Sequence, residues 1–266
     1  MKCRRIAFSI VPAILISLLL HYHAAAQSIV VGDGTAGSCD NNALGTALAN
    51  GGVITFACGS APHTITADTY VIVADTVIDG GGLITLDGEM LRRIFIVQDN
   101  VHLTLRNITL TRGFASDGPG GAIWNFGVLR IQNSTLSANG TDTMFAGGAI
   151  ANSWSGVTTI ENSVLEGNSA ADGGAIYTRG PAITIRSSIL RSNAQRVNGN
   201  YYGGGAILQE ENTNAVLTII DSEFQNNASN PNGAVGGAIS LLTGSMVIEG
   251  SVLINNVGYG GGGALY

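Results

Sequence analysis

Lysine is all but missing from this sequence. Its single copy is Lys2, and beyond residue 26 nine arginines face 18 acidic residues, a formal charge of −9. Nucleic-acid binders usually cluster Lys and Arg, so this balance argues against a phosphate-backbone partner. Cysteine is nearly as scarce. Past the N-terminal leader only Cys39 and Cys58 remain, and the only histidines there are His63 and His102. No local His or Cys completes a four-ligand zinc set, and the two histidines lie too far apart to form a metal motif. Two cysteines in an oxidising compartment point instead to one disulfide closing a short N-terminal loop, with two free thiols as the alternative. Glycine is abundant, at 38 copies, but has no Gly-X-Y period, which excludes collagen. The frequent Val, Ile and Leu argue against disorder.

A long apolar run occurs once, from Ile6 to Leu20. It follows Lys2, Arg4 and Arg5 and precedes Ala24, Ala25 and Ala26. The run is too short for a membrane span, and its flanks are those of a secretory signal peptide over residues 1–26. Cleavage after Ala26 leaves Gln27 first and no membrane span in the mature chain.

What is present is a repeat. Gly-Gly-Ala begins at Gly120, Gly147, Gly173, Gly204, Gly236 and Gly262, at intervals of 27, 26, 31, 32 and 26 residues. After each of the first five comes an Ile-x4-apolar-x2-Asn element. Its copies are Ile131, Leu136, Asn139; Ile160, Leu165, Asn168; Ile185, Leu190, Asn193; Ile219, Phe224, Asn227; and Ile248, Leu253, Asn256. Constant spacing inside the element means a piece wound on a fixed scaffold. Variable lengths between elements mean loops that tolerate insertion, as at 196–202 and 210–214.

Runs such as Ala182-Ile183-Thr184-Ile185 alternate with period two and are rich in β-branched residues, the pattern of strands. No repeat holds an adequate helical pattern, which disfavours leucine-rich, ankyrin and tetratricopeptide solenoids. Short strands at this spacing bury a face only by stacking coil on coil, about 4.8 Å apart. The expected fold is therefore all-β: a right-handed parallel β-helix with three short strands per coil. The strands are placed at Gly-Gly-Ala-Ile, at the segment ending in Ile131 and at the segment containing Leu136. Two-residue turns at Asn133-Ser134, Asn162-Ser163, Ser187-Ser188, Asp221-Ser222 and Gly250-Ser251 join the last two. Stacked asparagines at those turns, and above all Asn139, Asn168, Asn193, Asn227 and Asn256, are expected to bond up and down the stack as a structural ladder.

Residues 40–50 read as a short amphipathic helix, capped by Asp40 or Asn41 and ended by Gly51, that covers the first coil. This divides the chain into a leader (1–26), an N-terminal cap with the helix and disulfide (27–60), and a β-helix (61–266). The array stops at Tyr266 without a polar cap, so a longer parent protein, or a partner over that edge, is expected.

Gly-Gly-Ala-Ile followed by Phe224-Gln225-Asn226-Asn227 resembles the repeats of polymorphic outer-membrane proteins, with Leu replacing Phe elsewhere, as in Leu165-Glu166-Gly167-Asn168. The likeness covers residues from about 100 to 266. The stretch from Cys39 through Phe56-Ala57-Cys58-Gly59 to Ile78-Asp79-Gly80-Gly81-Gly82 looks like the cap of bacterial secreted β-helix proteins with pectin-lyase-like folds. The resemblance implies secreted or cell-surface passengers, often adhesins, associated with the outer membrane through a C-terminal β-barrel transporter.

The expected function is a secreted or surface-exposed adhesion module without catalytic activity, its partners glycans or host and cell-surface proteins. The alternative is a polysaccharide lyase or glycoside hydrolase acting on acidic glycans, since fold alone does not settle function. Candidate acids are Asp68, Asp75, Asp79, Asp87, Asp99, Asp117, Asp142, Asp172, Glu210 and Glu211, mostly beside turn residues. Asp79 invites a catalytic reading and His102 a general-base reading, but turn chemistry and an exposed strand account for them. Arg186, Arg191, Arg112 and Arg130 are candidates for a sugar-acid patch, with scattered solvated charges as the default. No catalytic, cofactor or metal residue is assigned. The position after Gly-Gly-Ala-Ile holds Trp124, Ala151, Tyr177, Leu208 and Ser240. It lies opposite Ile123 by period-two counting, which leaves open which of the two faces the lumen. Tyr201 and Tyr202, in an insertion, are candidates for exposed contact.

Overall fold

The computed structural model describes residues 27–196 and 202–266. The expected leader, residues 1–26, and Tyr201 therefore lie outside the described residues. The chain winds into a parallel β-solenoid whose faces are stacks of like strands. Face I stacks seven strands: Tyr70–Ile72, Phe95–Val97, Ile123–Asn125, Ile150–Asn152, Ile176–Thr178, Ile207–Gln209 and Ile239–Leu241. Face II runs from Ser28–Val31 and Gly52–Phe56 through Val128–Gln132, Val157–Glu161, Ala182–Arg186 and Val216–Ile220 to Ser245–Glu249. Face III holds Thr135–Ser137 and its equivalents up to Val252–Ile254. In the early coils the strands Thr76–Asp87 and His102–Thr111 run through both faces and join them in one sheet. Four coils carry a further two-residue strand, face IV, at Phe114–Ala115, Gly140–Thr141, Ser169–Ala170 and Ala194–Gln195. Three strands per coil were expected; the fourth is too short to leave a pattern in sequence.

Register is one to one. Ile131 sits beside Ile160, Ile160 beside Ile185, and Ile185 beside Ile219. Leu136, Leu165, Leu190 and Phe224 stack likewise. All of these are fully buried and belong to one continuous core with Ile123, Ile150, Ile176, Ile207 and Ile239. Removing each such side chain from water contributes about 1.5–3 kcal/mol, and the stack repeats that gain in every coil.

The Gly-Gly-Ala motif lies before the face I strand rather than within it, and makes the bend that leads into it. The amides of Ala175 and Ile176 both donate to the carbonyl of Ala206, at 2.9 and 2.8 Å, and the same fork recurs from coil to coil. Such a bend needs a left-handed residue, which is the first glycine (Gly173, φ 56°), and small residues after it.

The turn between faces II and III corrects the expectation that its asparagines stack. Asn133, Asn162, Ser187 and Asp221 supply left-handed backbone, at φ 47–49°. The ladder is carried by the serines that follow. The Ser134 amide donates to Ser163 Oγ at 3.2 Å, Ser163 to Ser188 at 3.1 Å, and Ser188 to Ser222 at 3.2 Å. Each of these hydroxyls donates in turn to the carbonyl two residues before it. The ladder of Asn139, Asn168, Asn193, Asn227 and Asn256 is present, with Nδ2 of each of the first four donating to Oδ1 of the next at 2.9–3.0 Å.

At the N-terminus, helix α1 (Asn41–Leu48) starts on Asp40, whose carboxylate accepts from the Ala43 amide at 2.8 Å. Leu44, Ala47 and Leu48 are buried against the first strands of faces II and I. Cys39 and Cys58 are joined in a disulfide that closes 19 residues around α1. On the chain-entropy model a loop of that length contributes about 3 kcal/mol. Replacing both cysteines by serine is therefore expected to lower unfolding free energy by about that amount in urea titration. An unchanged midpoint would mean that the cap is held by packing alone. Among the described residues, no helix is long and apolar enough to cross a membrane.

Candidate functional site

Face I settles the orientation that period-two counting left open. Ile123, Ile150 and Ile176 point into the solenoid core. The next column, Trp124, Ala151, Tyr177 and Leu208, points outward, yet forms a second apolar cluster with Ala146 and Leu242. It is covered because the loops entering face I fold back over it. Pro119, Met144, Phe145 and Tyr202 come from those loops, and with face I they line an open cavity of 610 Å³. A smaller cavity of 90 Å³ adjoins it, lined by Trp124, Ala151, Trp154, Tyr177 and Arg179 among others.

A second ladder borders this face. Asn125 Nδ2 donates to Asn152 Oδ1 at 2.9 Å, Thr158 Oγ1 donates to the same oxygen at 2.7 Å, and Asn125 Oδ1 caps the Gly127 amide at 3.1 Å. Its signal was in the sequence as a polar residue (Asn125, Asn152, Thr178) two places after three successive motif isoleucines. It rigidifies the floor from which Tyr177 and Arg179 project.

At the centre of the groove Arg179 bridges two carboxylates, Glu210 at 3.2 Å and Glu211 at 3.0 Å. Its guanidinium carbon lies 5.4 Å from the Tyr177 ring centre and 5.9 Å from that of Trp154, within cation–π range. The Tyr177 hydroxyl donates to Glu210. Burial pushes the Tyr177 pKa up, and Glu210 adds to the shift, so the phenol stays a donor. Burial works against the charge of Arg179, but Tyr177, Glu211 and Glu210 more than offset it and its pKa rises. At the groove's edge Arg93, buried, stacks 5.1 Å from Trp124 and is tied to Asp117 at 2.9 Å and the Gly120 carbonyl at 3.0 Å. Trp154 and Tyr202 remain half exposed, at 54 and 50%.

The remaining candidates do not converge. Asp79 caps the Gly81 amide at 3.0 Å, accepts from Asn107 at 2.9 Å and pairs with Arg106 at 2.8 Å. Partial burial would raise its pKa, but Asn107, Gly81 and Arg106 together hold it below the usual carboxylate range. It is a turn residue braced to the next coil. Asp68 pairs with Arg92, and Asp87 with Arg112. Asp75 accepts from the amide of His102, which is an exposed strand residue. Asp142 caps its own turn, and Asp99 is exposed. Asp172 is buried in the wall of the groove and accepts from Gln195 at 2.8 Å. Three of the four candidate arginines are paired, Arg130 with Glu161, Arg191 with Glu166 and Arg112 with Asp87, each across one coil step, while Arg186 is exposed in register beside Glu161. Among the described residues no group of three or more His, Cys, Asp or Glu is placed to hold a metal ion. Sequence reasoning missed Arg179 and Trp154 as site residues; the column of Arg179 holds Phe126, Ser153, Glu210 and Leu242 in the other coils, so no residue type repeats there to mark it.

The chain matches no protein-family model, no curated protein and no solved structure.

Proposed function

We propose that this chain is an exported, non-catalytic binding module that receives a glycan in the groove over face I. The observation that carries the reading is the combination there of half-exposed aromatic rings with a hydrogen-bonding charged centre, on a scaffold clamped coil to coil. Aromatic faces take the apolar side of a sugar ring, and fixed polar groups take its hydroxyls. The repeat resemblance to surface passengers agrees with an adhesive role. Titrating residues 27–266 against immobilised oligosaccharides is expected to give saturable binding that is lost on Trp154→Ala. Absence of binding to every glycan class sinks the reading.

Three carboxylates, Asp172, Glu210 and Glu211, line the larger cavity, and this favours glycoside hydrolysis as the second reading. Both glutamates lean on one guanidinium, an arrangement that fixes a binding surface rather than separating an acid from a base. Incubation with the bound oligosaccharide, and with polygalacturonate with and without Ca²⁺, is expected to yield neither new reducing ends nor unsaturated product. Either product would replace the binding reading with the enzymatic one.

Export carries its own test. Expressed with its leader in a bacterial host, the chain is expected to leave the cytoplasm and begin at Gln27 by mass spectrometry. Retention of residues 1–26 on a cytoplasmic product would remove the extracellular setting.

A further inference from the structure

The two cavities over face I share a wall. Pro119, Tyr177 and Arg179 line both. Arg179 forms the polar part of that wall; it is partly exposed, and its Nε is buried without a hydrogen-bond partner. Trp154 follows the face I strand Ile150–Asn152, and Tyr202 precedes the strand Ile207–Gln209, two coils higher. The smaller cavity is lined by Trp124, Ala151 and Tyr177 from three successive coils, and the larger reaches from Tyr177 and Arg179 through Glu210 to Leu242 in the coils above, so the two cavities follow one another along the solenoid axis.

Charge narrows the occupant. One guanidinium faces Glu210 and Glu211, and Asp172 lines the same cavity, so carboxylates outnumber cations. The Tyr177 and Trp154 rings already hold one cation at cation–π distance. A carboxylate-bearing sugar entering here meets like charge, while an ammonium meets acceptors and aromatic faces.

We infer that the two cavities are subsites of one groove, and that the groove takes an amine-bearing oligosaccharide lying along the axis across Arg179. This rests on the glycan reading and narrows its ligand class. Both tryptophans of the chain, Trp124 and Trp154, line the smaller cavity, so intrinsic fluorescence reports its occupancy.

The test is fluorescence titration of residues 27–266 with tetramers of glucosamine, N-acetylglucosamine and galacturonate, at low and high salt. Glucosamine tetramer is expected to bind about tenfold tighter than galacturonate tetramer at low salt, with the gap shrinking as salt screens it. Glu211→Gln is expected to weaken glucosamine binding several-fold and leave N-acetylglucosamine binding unchanged. Glu211 is exposed, and an unchanged circular dichroism spectrum shows that the variant folds. Galacturonate binding as tightly as glucosamine, or glucosamine binding indifferent to Glu211→Gln, overturns the inference. If N-acetylglucosamine binds and glucosamine has no advantage, the glycan reading survives and this inference falls. Binding of none of the three, followed by failure across a broader glycan panel, removes both.

Discussion

Gly174→Ala is expected to unfold the middle of the solenoid, at a cost of about 4 kcal/mol or more. A Cβ built on Gly174 would fall on the Gly205 carbonyl oxygen of the next coil, and 2.6 Å from both the amide nitrogen and the carbonyl oxygen of Ala194. None of these atoms is the end of a flexible side chain. Relief requires the coils to part, and that breaks the bond from the Gly174 amide to the Gly204 carbonyl at 3.1 Å and the fork onto Ala206. The same obstruction recurs at Gly121, Gly148, Gly205 and Gly237, each facing a glycine carbonyl of the following coil. The second glycine of each of the first five motifs is therefore dictated by the distance between coils, not by backbone dihedrals. Gly37→Ala is the control: it lies at an open position with nothing within 4 Å and no positive φ, and is expected to be near neutral. Urea unfolding of both variants measures the contrast. A Gly174→Ala midpoint equal to that of the parent would mean that the coils are further apart than described.

Most of the fold was legible because stacking converts three-dimensional neighbours into fixed sequence offsets. Ile131, Ile160 and Ile185 are in contact for the same reason that each stands five residues before a Leu and eight before an Asn. The α1 helix was legible from its cap and its apolar face. Face IV was not, because a strand such as Gly140–Thr141 offers two residues and no alternation. The direction of Trp124 and Tyr177 was not legible either, for a different reason. Alternation reveals a strand's inner side only when its outer side is wet. On face I the outer column is roofed by loops, so Ile176 and Tyr177 are both buried and the contrast disappears.

The groove was half legible. The insertions at 196–202 and 210–214 were recognisable as departures from the repeat, and they deliver Tyr202, Glu210 and Glu211 to it. Function gathers on such loops because they change without disturbing the stack beneath. Arg179 and Trp154 carried no mark because their residue types do not recur: the positions equivalent to Arg179 hold Phe126, Ser153, Glu210 and Leu242 in the other coils. Arg179 meets Glu210 at the same 31-residue step that pairs Thr178 with Gln209, so the repeat interval encodes that contact, whereas nothing local marks Trp154.

Asn193→Leu is expected to cost about 4 kcal/mol. Asn193 uses its whole amide. Nδ2 donates to the Leu165 carbonyl and to Asn227 Oδ1, each at 3.0 Å, while Oδ1 accepts from the backbone amide and Nδ2 of Asn168, also at 3.0 Å. Leucine fills much the same volume and leaves those partners unpaired in an interior where Asn168 and Asn227 are wholly buried. Each orphaned group costs about 1–3 kcal/mol, less than additively when partners relax together. Asn256→Leu removes the same chemistry from a half-buried site and is expected to cost about 1 kcal/mol. The double variant Asn168→Leu with Asn193→Leu separates a ladder from isolated caps. The two side chains share one bond, Asn168 Nδ2 to Asn193 Oδ1, which each single variant loses, so the double should cost less than the sum of the singles, whereas independent residues would add. Additive costs in urea unfolding would show that each asparagine acts alone, and that the coils are held in register by their strands and serines without help from the amides.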